Sequence, residues 1–182
     1  MNLPRIMPAE PPYDPALAAA FERAMPPGHA PLKLFRTMAR NPRLLQRMFA
    51  GSLLDKGAIS LRERELMILR TCARCGSEYE WGVHVAFFAG RAQLSEQEVA
   101  ATLGPAGADC WSERDALLIR MADELHESAD LSDALWAGLE RAFSVEQLLE
   151  LIALAGYYRT ISCLTNACRI ELEPQAARFD RA

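Results

Sequence analysis

The sequence lacks the patterns that announce several common kinds of protein. It has no Cys/His set at zinc spacing, no glycine-rich phosphate loop and no serine elbow, so zinc-site, nucleotide-cradling and elbow-type hydrolase chemistry have no motif to rest on. No alternating β-branched run lies between turn signals, which leaves a sheet without a pattern. The longest apolar stretch, residues 148–164, carries Glu150 and Arg159 and reads as a buried helix, not a membrane span. Positive charge is in deficit: 20 Lys and Arg against 24 Asp and Glu give a formal net charge of −4. A general nucleic-acid binder needs a basic face, so nucleic acid is not an expected partner, and neither is a membrane. One local exception exists. Lys33, Arg36, Arg40, Arg43 and Arg47 fall at helical spacing, interrupted by Pro42. They read as a solvated face, a face meeting acidic neighbours, or an anion-binding stripe. Cysteines number five, and residues 1–12 are proline-rich without an apolar signal core. A cytoplasmic protein with free thiols is expected, not a secreted disulfide framework.

Helix punctuation, by contrast, is abundant. Ser followed three residues later by an acid or Gln occurs at Ser60/Glu63, Ser77/Glu80, Ser95/Glu98, Ser112/Asp115 and Ser144/Gln147. In each pair the hydroxyl and the later side chain can satisfy open N–H groups at a helix start. Asp14-Pro15 and Asn41-Pro42 add two more starts. Gly57, Gly76, Gly90 and Gly104 stand where left-handed helix stops are wanted. Apolar residues keep a helical period within these segments, as in Leu118, Met121, Ala122 and Leu125. The spacing predicts helices over 14–25, 31–39, 42–55, 61–75, 78–89, 96–103, 113–127 and 145–168, with a further short one near 133–142. With 51% hydrophobic residues in 182, the chain reads as a single all-α domain over 1–182, a compact bundle of about eight helices, with an extended N-terminal arm over 1–13. The helix over 145–168 is apolar nearly all round. It is therefore central to the bundle or part of a contact between copies, and a homo-oligomer through this helix is expected.

The chemistry-bearing stretch is residues 62–90, RERELMILRTCARCGSEYEWGVHVAFFAG. Periodicity places Glu65 on one helix, a stop at Gly76, and a second helix from Ser77. On that second helix Ser77, Glu80 and His84 are three and four residues apart and share a face. A carboxylate one turn from an imidazole can orient it and tune its pKa, and Glu65 can meet the pair across the seam between the helices. Bland alternatives stand beside this reading. Ser77 with Glu80 is also a capping box, and His84 beside Phe87 and Phe88 is also a candidate core histidine. Cys72 and Cys75 form a C-x-x-C pair, but at the C-terminal end of a helix, where the dipole disfavours thiolate. They read as small packing residues or, alternatively, as a redox pair.

This run resembles the carboxymuconolactone decarboxylase and alkylhydroperoxidase D family, over about residues 40–168. The family places a Glu on one helix and then C-x-x-C-x-x-x-H at the start of the next. Here Glu65 matches the relay glutamate and His84 the terminal histidine. Ser77 and Glu80 stand where the two redox cysteines would be, with Tyr79 between them. The resemblance implies a small-molecule site with Glu65, Glu80 and His84 as catalytic residues and Ser77 and Tyr79 in the pocket. Neither cofactor nor metal is implied. With the in-register cysteines replaced, it implies a cofactor-free acid–base enzyme acting on a small carboxylated lactone or keto acid. Two rivals remain: a thiol peroxidase using Cys72 and Cys75, and a non-catalytic helical assembly protein.

Overall fold

Nine α-helices, one π-helical turn and no strand form among residues 3–179, the part of the chain that the structure, a computed structural model, describes. The helices are α1 (Pro15–Ala24), α2 (Lys33–Met38), α3 (Pro42–Ala50), α4 (Leu61–Arg74), α5 (Glu78–His84), α6 (Glu96–Ala101), α7 (Glu113–Ser128), α8 (Asp133–Ala142) and α9 (Val145–Cys168). The π-helical turn, Val85–Ala89, continues α5 without a break. The expected bundle of all-α class is thus found, including the short helix near 133–142. Residues 1 and 2 of the predicted arm and residues 180–182 lie outside the described residues.

Most of the capping signals act as their chemistry dictates. Ser60, Ser95 and Ser144 form closed capping boxes with Glu63, Glu98 and Gln147, while Ser112 accepts from the Asp115 N–H. Asp14 and Asn41 accept from Leu17 and Leu44. Ser77 does not cap α5. Its hydroxyl instead shares a hydrogen bond of 2.8 Å with Thr165 on α9, because the α5 start is buried against that helix and a side-chain partner lies closer than the helix end. Of the four glycines read as left-handed stops, only Gly76 has positive φ, at 62°. Gly57 instead lies close under the Glu150 carboxylate: a Cβ there would lie 2.0 Å from one of its oxygens, and the side chain would have to shift. The left-handed ends of α7 and α9 fall instead on Ala129 and Arg169. The predicted helix over 42–55 stops at Ala50, and residues 51–60 form a loop held on α9 by Glu150, which accepts from the Ala58 N–H at 2.7 Å.

The centre of the bundle is α4, which packs chiefly against α7 and α9. Every residue from Glu63 to Cys72 is buried, although four of them carry charge. Burying a charge is tolerated only where it is paired, and each of these is. Glu63 accepts from Arg114, Arg64 pairs with Glu65, and Arg70 grips Asp123 at 2.6 and 2.7 Å while donating to the carbonyls of Thr102 and Gly104. The all-round apolar α9 lies beside it, and its Leu148, Leu151, Leu154, Tyr158 and Ile161 enter the core.

The segments around residues 7–10 and 171–177 lie across this bundle and account for most of the basic stripe. Arg36 pairs with Glu10 and donates to the Ala9 carbonyl, Arg40 donates to the carbonyls of Met7 and Pro8, and Lys33 pairs with Glu171. The stripe is thus largely a face that meets its own termini, with Arg43 and Arg47 left exposed. At the other end Glu173 accepts from the Lys33 N–H and the Tyr79 hydroxyl, which pins the start of α2 to α5. The tail then crosses α5 at Gly82. A Cβ there would lie 2.2 Å from the Ala177 carbonyl oxygen, so only glycine admits this approach.

Candidate functional site

Helices α1, α2, α3, α5 and α9 converge on a cavity of about 720 Å3. Its inner wall comes from α5 and the π-helical turn (Glu80, His84, Phe87, Phe88) and from α9 (Tyr157, Tyr158, Ile161). Leu34, Phe35 and Met38 of α2 face them, with Phe49 of α3. Arg23, Leu54, Asp55 and Arg91 are also in the lining and are exposed, so they border the mouth. The volume and the largely apolar wall suit a small organic molecule.

His84 is the hub. Its Nδ1–H donates to Glu65 Oε2 at 2.7 Å across the α4–α5 seam, and its Nε2 faces Glu80 Oε1 at 3.5 Å on its own helix. Phe88 stacks on the ring at 5.1 Å, and Tyr158 meets it edge-on at 5.0 Å. Glu65 is wholly buried and takes a second contact from Arg64, whose Nε donates to Oε1 at 2.9 Å. Arg64 in turn donates to the Leu54 carbonyl at 2.7 Å, so the clamp extends to the loop at the mouth. Burial alone would push the imidazole down, but Glu65 and then Glu80 outweigh it and hold His84 up at about 9. The two glutamate side chains thus favour the charged form of the ring. The other oxygen of Glu80, Oε2, is buried and has no partner among the described residues. Burial and the neighbouring carboxylates push the hydroxyls of Tyr157 and Tyr158 well above their usual range, so both are neutral walls.

The π-helical turn matters because it begins directly after His84. Widening the helix by one residue per turn re-aims the side chains beyond that point, and such turns recur at functional sites. Here both Phe87 and Phe88 reach the cavity.

The structure therefore brings Glu65, Glu80 and His84 together, with Glu65 behind His84 and not itself in the lining. It separates the other expected residues from them. Ser77 is spent on Thr165, and the Tyr79 hydroxyl bonds to Glu173 and to the Leu34 N–H; neither lines the cavity. Both belong to the packing that positions α5. Cys72 and Cys75 are also outside it. Burial, with Glu80 next in weight, pushes the fully buried Cys72 thiol well up. Cys75, half-buried and raised by burial, faces His126 Nδ1 at 3.5 Å on the α7 side. Replacing both by Ala should accordingly leave any activity of the cavity within about twofold while lowering stability by about 1–3 kcal/mol. Urea unfolding and turnover measured together check this, and peroxide-driven turnover that disappears in the variant would contradict it.

Arg64, Phe88, Tyr157 and Tyr158 were missed by the sequence reading as site residues. For Arg64 the signal was its place beside Glu65; for the two tyrosines there was none beyond polar tips in an otherwise apolar helix.

Among the described residues no group of three or more His, Cys, Asp or Glu could hold a metal ion, and no helix is long and apolar enough to cross a membrane. Residues 40–124 match the family described as the carboxymuconolactone decarboxylase family. No curated protein sequence matches the chain. Among solved structures, an uncharacterized peroxidase-related protein from Silicibacter sp. TM1040 is similar at a TM-score of 0.81 and 16% identity, covering 98% of this chain and 99% of that one. A second uncharacterized peroxidase-related protein, the alkylhydroperoxidase AhpD core protein of Ralstonia eutropha JMP134, has a TM-score of 0.75 and 15% identity, with 92% and 93% covered. The debrominase Bmp8, in complex with 2,3,4-tribromopyrrole, has a TM-score of 0.74 and 19% identity, with 96% and 94% covered. At these identities the likeness is one of fold.

Proposed function

We propose that this chain, whose residues 40–124 match the carboxymuconolactone decarboxylase family and whose fold is similar to that of the alkylhydroperoxidase AhpD core protein, is a cofactor-free acid–base enzyme acting on a small carboxylated lactone or keto acid. The observation that carries the reading is His84, held between Glu65 and Glu80 at the wall of an apolar cavity. Loss of CO2 from such a substrate breaks the C–C bond and leaves its electron pair as an enolate. The enolate oxygen takes a hydrogen bond from His84 Nε2–H, and the carbon that lost the carboxylate takes the proton that His84 gives up. Solvent then returns a proton to the imidazole. Glu80 orients Nε2–H, while Glu65, clamped by Arg64, fixes Nδ1–H and keeps the ring charged. The surrounding Phe88, Tyr157 and Tyr158 keep the local dielectric low, which strengthens the attraction of the imidazolium for a developing anion.

Incubation in D2O with small carboxylated lactones and β-keto acids tests the reading by carbon-13 NMR. Release of CO2 with one deuteron at the carbon that carried the carboxylate is the expected result. Dependence of turnover on peroxide and a thiol, with no CO2, would overturn it.

We also propose that the protein works as a homo-oligomer through α9. The tyrosines of that helix turn to the cavity, so the apolar side chains it leaves outside are Val145 and Leu149, 69% and 64% exposed. Light scattering should give a mass well above the 20.2 kDa chain, with an interface of more than about 1,000 Å2; Leu149→Asp should return it to a single-chain mass.

A further inference from the structure

The buried part of the cavity wall holds three polar side chains, Glu80, His84 and Tyr158. Glu80 turns Oε1 to His84 Nε2, and its Oε2 is buried out of reach of a ligand. His84 is fixed through Nδ1–H by Glu65, which leaves Nε2–H as its polar group toward the cavity. Tyr158 is different. It is 2% exposed, yet its hydroxyl has no hydrogen-bond partner among the described residues and is not one of the polar atoms closed off by the packing. The Tyr157 hydroxyl, by contrast, is spent on the Met48 carbonyl at 2.8 Å. The free O–H therefore opens on the cavity that Tyr158 lines. A buried hydroxyl without a partner is unfavourable, and a ligand that accepts from it removes the cost. The ring that carries it is held in place: it meets His84 at 90° with centroids 5.0 Å apart, and Tyr157 at 67° and 5.4 Å. Burial and then the Glu80 carboxylate hold the phenol well above its ordinary range, so it donates a hydrogen bond and keeps its proton.

Decarboxylation leaves a task for such a group. The His84 Nε2–H holds the enolate oxygen and is also the proton that must reach the neighbouring carbon. As it moves to carbon, the oxygen loses that partner before its charge has gone. A second donor, already in place and not itself transferred, covers the oxygen through the step. We propose that Tyr158 binds the substrate directly, its O–H donating to the carbonyl oxygen that becomes the enolate, beside the His84 Nε2–H. The proposal rests on the acid–base reading of His84 and narrows the substrate. The carboxylate that leaves must stand on the carbon next to this carbonyl, as in a β-keto acid or a lactone carboxylated beside its carbonyl. Both reacting carbons then face the inner wall, and the rest of the molecule extends along Leu34, Phe35 and Met38.

Two ring probes test this without a known substrate. Pentafluorophenol, ionised at pH 7, presents an enolate-like oxygen on a flat ring, and hexafluorobenzene has nearly the same outline without that oxygen. Binding of each to the intact protein is measured by fluorine-19 NMR titration at pH 7. The wild type should bind the phenolate at least about tenfold more tightly than hexafluorobenzene. Tyr158→Phe removes only the hydroxyl. It should weaken the phenolate by about tenfold or more, as expected for a hydrogen bond to a charged group, and leave hexafluorobenzene within about twofold. An equal loss of both probes would mean a distorted cavity and overturns the proposal. So does a phenolate affinity that stays within about twofold in Tyr158→Phe; if His84→Gln still weakens the phenolate, the acid–base reading survives that result. A wild type that binds the two probes alike overturns both, and that comparison needs no variant to fold.

Discussion

His84→Ala should lower turnover of a carboxylated lactone or keto acid by about two decades or more, the usual size of a general acid–base contribution. The side chain supplies both the proton and the positive charge that faces the developing enolate, and no other N–H in the inner wall can take over. Arg64 is turned to Glu65, and the tyrosine hydroxyls are held above their usual range. The loss should appear in kcat more than in KM, because the interaction strengthens only as charge develops. Removal of His84 also leaves Glu65 and Glu80 without their shared partner, so unfolding must be measured beside kinetics. His84→Gln, which can still donate to one carboxylate, should recover much of the stability and little of the rate. The pH profile carries an independent sign. The active form is the imidazolium, so the rate should hold through neutral pH and fall as pH rises through about 9. A rate that climbs across that range would mean that neutral His84 acts as a base, and the assignment of roles would reverse.

Replacing Glu65 should have the largest effect on stability. The residue is wholly buried and joins Arg64 to His84. Glu65→Ala leaves a buried guanidinium and a buried imidazole without their shared counter-charge, and removing one partner of a buried pair costs about 3–5 kcal/mol. Glu65→Gln keeps the shape and removes the charge, so it should show the electrical part more cleanly. Burial then acts on His84 against Glu80 alone, and the imidazole should titrate well below 9. The linkage follows from the direction of the shift. In the wild type the raised value favours folding by about 3 kcal/mol below the usual histidine range near 6.5, and that contribution disappears as pH rises through about 9. Chemical denaturation at pH 6 and pH 10 should therefore show a fall for the wild type and a much smaller one for Glu65→Gln. Histidine nitrogen-15 titration checks the same change directly, and a His84 that still titrates near 9 without Glu65 would show that Glu80 holds the charge unaided.

Much of this was legible in the linear sequence, for local reasons. Capping chemistry acts between residues three apart, so the starts of α4, α6 and α9 could be read from Ser60, Ser95 and Ser144. Helical periodicity likewise put Glu80 and His84 on one face, and the short Gly76–Ser77 turn folded α4 back so that Glu65 reached them. Where local reading failed, a longer-range partner had taken over. Ser77 has the residues of a capping box, yet Thr165, 88 positions away, captures its hydroxyl. Tyr79 sits within the motif, yet Glu173 in the C-terminal segment turns it from the cavity. Gly57 is a close approach to Glu150, a contact that no turn signal encodes.

The sequence by itself determined the class of fold, the order of its helices and the alignment of Glu80 with His84, because caps, periods and turns depend only on near neighbours. The tertiary structure decided which charges are buried, where the cavity opens and which state His84 adopts. Those properties depend on what surrounds a group in space. An R-E-R-E run reads equally well as a solvated helix end until Arg114, Asp115 and the seam with α5 are in place around it. His84 is a core histidine by its burial and a charged one by its partners. Only the packing of α4 against α5 places Glu65 2.7 Å from its ring, and at that distance the attraction outweighs the loss of water.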